Sequence, residues 1–104
     1  MTPEKVLEVI GVYRKFFEGL GVSKIRLNEE QFDELFFMEF EIDETSIMSH
    51  CHAMLDGMEQ LVKECRMEKC FRWLGFIQGC LLCGGFFTLN ELKNHSRPND
   101  ETAA

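Results

Sequence analysis

Apolar positions along this chain recur mostly at three- and four-residue spacing, the period of a helix with one buried face. Near the start, Val6, Leu7, Ile10, Tyr13, Phe17 and Leu20 follow that period. Thr2 before Pro3 reads as an N-cap and first helical residue, and Gly19 with Gly21 supplies the stop. Arg14 and Lys15 lie toward the C-terminal half, where cations suit the helix dipole. The clearest stripe comes later: Ile47, Cys51, Met54, Leu55, Met58, Leu61, Val62 and Cys65, with Asp43 or Thr45 as the cap. Between Glu64 and Glu68 this register is lost, and Lys69 falls where an apolar residue is due. No Gly or Pro marks the break. A continuous helix to residue 84 would nevertheless be about 40 residues, far above ordinary length, so a turn is predicted there.

A further helix is predicted from roughly Glu68 to Cys83. Cys70, Phe71, Leu74, Ile77 and Leu81 make one face, flanked by Trp73, Phe76, Cys80 and Phe87. A helix apolar on most of its circumference is expected to be the central one. Gly75, Gly79 and Cys83 stand four residues apart and predict a shallow groove. Gly84 and Gly85 end the helix. Thr88 with Glu91 forms a capping box, Phe87 and Leu92 have staple spacing, and a short helix runs to about His95.

Residues 22–42 read two ways. Asn28 with Gln31 resembles a capping box, and Phe32, Leu35 and Phe36 continue a helical stripe. Phe36, Met38, Phe40 and Ile42 instead alternate with Phe37, Glu39 and Glu41, a strand period. No other segment alternates well enough to pair with a strand, so a short helix and an extended connector are expected. The fold class is all-α: a small bundle of about four helices with an irregular acidic connector. Residues 1–98 form one helical domain and residues 99–104 a disordered tail.

Composition agrees with that class. In 104 residues, 45 % are hydrophobic and ten are Phe, which excludes disorder over most of the chain. A chain of this length buries roughly two-thirds of its unfolded surface, enough for a core without disulfide staples. Glu4 and Glu8 interrupt any apolar signal stretch, and five cysteines is an odd count. A cytoplasmic protein with reduced thiols is expected. Trp73 to Leu89 carries no charge over seventeen residues, the short limit for a span. It contains Gln78 and four Gly, so a helix of the protein core is expected rather than a membrane segment.

The net charge of −7 argues against direct nucleic-acid binding. Its distribution says more. Residues 1–26 carry +2, residues 27–62 carry −10 with no basic residue, residues 63–98 carry +3, and the tail carries −2. From Glu29 to Glu44, eight acids lie within sixteen residues, interleaved with Phe32, Phe36, Phe37 and Phe40. Acid plus aromatic suits docking onto a basic protein groove. The contact residues expected for a partner are Glu29, Glu30, Asp33, Glu34, Phe36, Phe37 and Glu39. The plainer alternative is that the block covers the chain's own basic ends.

Arg66, Lys69 and Arg72 recur every three residues, with Lys63 before them and Trp73 beside them. They open the predicted central helix, where backbone N–H groups favour an anion. Arg66, Lys69, Arg72 and Trp73 are the candidates for binding a nucleotide-like small molecule: Arg forks a phosphate and Trp stacks on a base. The plainer alternative is a solvated face paired with the acidic middle.

His50, Cys51, His52, Cys80 and Cys83 raise the question of zinc. His50 and His52 point about 200° apart on a helix, so only one can join the two cysteines. Cys51 falls on the apolar stripe, as free core Cys often does. No metal site and no cofactor are assigned, and a Zn-binding structural domain is the third functional reading. Nothing marks an activated nucleophile, so an enzyme is not expected. His52 and Asp56, four residues apart, predict a surface ion pair.

Three stretches carry a resemblance: His50-Cys51-His52, Phe71 through Gly79, and Thr88-Leu89 with Leu92 through Pro98. Residues 50–98 resemble small uncharacterised helical proteins of bacteriophages and prophages. The resemblance implies no activity. It suggests an accessory protein that binds and inhibits a host protein or sequesters a host signal. The leading expectation is a non-enzymatic binding protein, phage-encoded, that acts on a host protein or complex through its acidic Phe-rich surface. The Gly75–Gly79–Cys83 groove and the surplus of Phe predict a homo-oligomer.

Overall fold

The computed structural model describes residues 1–31 and 44–98, and among them every regular element is helical. Four helices are described over their whole length: α1 (Pro3–Gly19), α2 (Glu44–Lys63), α3 (Met67–Cys83) and α4 (Leu89–Ser96). This is the predicted all-α bundle.

The termini predicted at Thr2, Gly21, Gly85 and Thr88 form with their caps, whereas Thr45, one of the two caps read for α2, lies inside that helix and the other, Asp43, lies outside the described residues. The Thr2 side chain accepts the Lys5 N–H at 3.1 Å, ahead of Pro3 at the first helical position. Beyond α1, Gly21 takes φ 71°, its N–H bonds to Glu18 O, and Val22 N–H bonds to Phe17 O, both at 3.0 Å. This Schellman closure needs a left-handed residue, which glycine adopts at no steric cost. Gly85 repeats it after α3. Thr88 and Glu91 complete the capping box of α4. Asn28 and Gln31 also exchange their two capping bonds, and a helix opens at Glu29. Residues 22–28, which join α1 to this helix and are called the connector below, have no regular structure; the acidic extended connector read from the sequence lies outside the described residues. The alternation at Phe36–Ile42 lies outside the described residues.

The turn predicted without Gly or Pro is present at Glu64–Arg66. Cys65 itself adopts φ 58°, while Cys65 N–H bonds to Val62 O and Arg66 N–H to Leu61 O. An L-residue in that region costs about 1–2 kcal/mol. The third motif of this kind therefore closes with the wrong residue type, which is why the sequence shows no punctuation there.

The core is built from Val6, Val9, Ile10, Tyr13 and Phe17 of α1, six residues from Met48 to Leu61 of α2, Cys70, Leu74, Ile77 and Leu81 of α3, and Leu92 of α4. Each large side chain buried here contributes roughly 1.5–3 kcal/mol relative to leaving it exposed. Two expectations are corrected. Leu7 and Leu20 are exposed, and Val9 takes the place of Leu7 on the buried face. The central helix is α2, which packs against both α1 and α3. The apolar circumference of α3 is not covered: Phe71, Phe76 and Leu82 are exposed on its outer side.

Polar groups join the layers. Tyr13 is fully buried, and its hydroxyl accepts from Gln78 Nε2 and meets His95 Nδ1, each at 3.0 Å. Gln78 Nε2 also reaches Ser96 Oγ. One phenol thus ties α1 to α3 and α4. Around it, Phe16 and Phe87 lie 4.8 Å apart and Phe87 and His95 4.9 Å. No helix of the described residues is long and apolar enough to cross a membrane.

Cys65→Gly removes the left-handed penalty at the α2–α3 turn but adds unfolded-state freedom. A net gain of about 0.5–1 kcal/mol is expected in urea unfolding. A loss of stability would contradict the role given to this turn.

Candidate functional site

Trp73 is the only tryptophan of the chain, and its surroundings come from three elements. Arg26 of the connector stands over the ring, 5.0 Å from its centroid, and Lys69 of α3 stands 5.6 Å away. Such cation–π contacts are worth about 0.5–1 kcal/mol each at exposed sites. Arg72, Trp73 and Phe76 of α3, with His50 and Met54 of α2, line a shallow, largely apolar cleft of about 320 Å³. Arg66 sits at the N-cap of α3, exposed, without a side-chain capping bond.

The ring lies against α2 at Gly57. A Cβ there would meet Trp73 Cζ3 at 2.8 Å, inside any tolerated contact, and would come within 3.7 Å of Arg26 Nη1. Glycine in a helix interior costs about 1 kcal/mol relative to alanine. Here that cost admits the indole and the guanidinium beside it.

The connector is held in place by the second helix. Ile25 N–H bonds to Ser49 O at 3.2 Å and the Ser23 and Ser49 hydroxyls meet at 3.1 Å. Leu27 N–H donates to His50 Nδ1, and His52 Nδ1 meets Val22 O, both at 2.8 Å. Since a carbonyl only accepts, His52 carries its proton on Nδ1. Since an N–H only donates, His50 Nδ1 carries none. Burial, together with the Arg26 charge, lowers the His50 pKa and supports that neutral form. His52 also stacks on Phe17, with centroids 5.3 Å apart.

These positions revise several expectations. His50 and His52 are backbone-holding groups on either side of α2. Among the described residues no group of three or more His, Cys, Asp or Glu side chains could hold a metal. The predicted His52–Asp56 ion pair does not form: His52 is buried, and Asp56 pairs with Arg14 at 2.8 Å and Lys24 at 3.2 Å. Burial works against the Asp56 charge, but hydrogen bonds from Lys24 and Arg14 hold its carboxyl below the ordinary value. Arg14 also binds Glu59 at 2.7 Å.

Among the described residues no carboxylate pairs with Arg26, Lys69 or Arg72. Of the candidates read from spacing, Lys69, Arg72 and Trp73 come together. Arg26, His50, Met54, Gly57 and Phe76 were not among them. Gly57, inside an unbroken helical stripe, was the one available signal of a close approach. Arg26 had none, because the connector has no period. Of the acidic candidates, Glu29 and Glu30 are exposed. Asp33, Glu34, Phe36, Phe37 and Glu39 lie outside the described residues.

Gly75 and Gly79 are exposed, and a Cβ on either would meet nothing within 4 Å. The groove read from their spacing therefore lies on the outer side of α3. Comparison with protein-family models, with curated proteins and with solved structures finds no match.

Gly57→Ala should destabilise the fold by about 1–3 kcal/mol despite the better helix propensity of alanine, because the indole must move. In a Trp73→Ala background the same change should be neutral or stabilising. Urea unfolding of the four variants checks this, and additive effects would remove the contact from the description.

Proposed function

We propose that this chain is a non-enzymatic binding protein that acts by occupying a partner protein. Following the resemblance of residues 50–98, the partner is a host protein inhibited by a phage accessory protein. The observation that supports a binding role is the Trp73 face. Arg26, Lys69 and Arg72 converge there without carboxylate partners among the described residues, next to an apolar cleft. An acidic partner would supply the missing counter-charge and fill the cleft with an apolar group. Complementarity of this kind selects partners and speeds encounter more than it raises affinity.

The acidic Phe-rich segment is the second contact surface. Its exposed described members are Glu29 and Glu30, and its chemistry suits a basic groove. The nucleotide-like ligand uses the same cations as the Trp73 face. Small-molecule sites bury most of their ligand, and a shallow cleft of about 320 Å³ suits a protein side chain better. Self-association would use the outer side of α3, where Phe71, Phe76 and Leu82 are exposed.

Affinity capture from a candidate host lysate tests this with three baits: the unaltered chain, E30K/D33K/E34K, and K69E/R72E. One partner is expected to be retained by the first bait and lost by at least one variant. Equal capture by all three would sink the reading. In a parallel nucleotide panel no stabilisation is expected. A ligand at 100 Kd would add about 2.7 kcal/mol, and such a gain, lost in K69E/R72E, would replace the protein partner with a small molecule.

A further inference from the structure

Away from the Trp73 face, α4 is held to the bundle by a small set of contacts. Among its eight residues only Leu92 is buried, and His95 and Ser96 are half-buried. A helix of that length has little stability of its own in water, so its place depends on those contacts. At its C-terminal end they are polar. His95 Nδ1 lies 3.0 Å from the Tyr13 hydroxyl, and Ser96 Oγ accepts from Gln78 Nε2 at 3.0 Å. The His95 ring also stands edge-on to Tyr13 and Phe87, with centroids 5.3 and 4.9 Å away.

Counting donors fixes the position of the proton. Gln78 Nε2 carries two hydrogens; one goes to Ser96 Oγ and the other to Tyr13 Oη. The phenol's own hydrogen then has one acceptor among the described residues, His95 Nδ1. Tyr13 is fully buried, so that hydrogen cannot turn to water instead. His95 is therefore neutral, with its proton on Nε2. A second proton goes on Nδ1. It removes the acceptor and leaves a buried O–H unpaired, which disfavours the docked helix.

We propose that His95 is an acid-sensitive latch for α4: proton uptake at Nδ1 breaks the bond from Tyr13 and releases the helix from α1 and α3. Few ionisable groups surround the ring. From α1 it faces Tyr13 and the Lys5 charge, and from its own helix Glu91, one turn earlier; α3 offers only the uncharged Gln78. Burial has the largest influence on the His95 pKa and lowers it; Glu91 raises it, Lys5 lowers it, and the net direction is down. A released His95 titrates near its ordinary value of 6.5, and the docked one below it. The contribution to docking is therefore fully present above about pH 6.5 and is lost as the pH falls through the lower, docked value. Release uncovers Leu92 and the part of the core beneath it.

Amide hydrogen exchange of the full chain at pH 7 and pH 5, corrected for the intrinsic pH dependence of exchange, tests this. Amides of residues 92–96 should lose roughly tenfold in protection at pH 5, the size expected for a buried hydroxyl left unpaired. That loss should exceed any in α1 or α3. His95→Asn keeps an acceptor in place of Nδ1 without titrating, so it should hold its α4 protection at pH 5. The ring C–H resonance of His95 in the unaltered chain gives a second reading that needs no variant, with a midpoint expected below 6.5. Equal α4 protection at both pH values, an equal loss throughout α1 and α3, the same loss in His95→Asn, or a His95 midpoint at or above 6.5 would overturn the proposal.

Discussion

Residues 22–28 form no helix or strand, so their backbone groups must find partners elsewhere. The central helix supplies them. Ser49 O, His50 Nδ1 and the His52 ring bond successive points of the connector, from Leu27 back to Val22. Ser49, His50 and His52 are themselves buried, and a buried polar group left unpaired costs about 1–3 kcal/mol, so these bonds fix the path of the connector. That path sets Arg26 over Trp73. The basic-aromatic face is therefore a consequence of how the connector is held, and α2 carries both duties through adjacent residues. His50 touches the connector with Nδ1 and lines the cleft with its ring.

The separation of charge along the chain resolves unevenly. Asp56 and Glu59, two acids of the −10 segment, are spent on Arg14 and Lys24 of the basic first segment. Exposed pairs of this kind contribute 0–1 kcal/mol each, so their weight lies in docking α1 and the connector on one side of α2. The opposite side of α2 meets α3, where Lys69 and Arg72 receive no such acid among the described residues. Among the described residues, the acids of this segment thus neutralise one neighbour and not the other. Trp73 stands at that boundary, seated against α2 only because position 57 has no side chain.

Helix existence was legible because it rests on local rules. The caps at Thr2, Asn28 and Thr88 and the left-handed glycines at 21 and 85 form as the sequence indicates. The break at Glu64–Arg66 was legible from the lost register alone, since Cys65 does what Gly usually does. Burial was less legible. Periodicity counts apolar residues but does not say which stripe meets a neighbour, so α3 read as central although α2 is. The site was half legible. Lys69, Arg72 and Trp73 share one helix and show in the spacing, whereas Arg26 and His50 join them only through tertiary contacts. His50 and His52 illustrate the same limit: residue type suggested ligands, and geometry made them acceptor and donor for backbone.

Collisional quenching of Trp73 fluorescence measures the electrostatics of this face directly, because no other tryptophan contributes. A chain of net charge −7 would by default concentrate caesium around itself and repel iodide. With Arg26, Lys69 and Arg72 around the ring, iodide should instead quench more strongly than caesium at matched ionic strength. That preference should fall stepwise in Arg26→Gln and Arg72→Gln. Equal quenching, or a preference for caesium in the unaltered chain, would contradict a cationic Trp73 face.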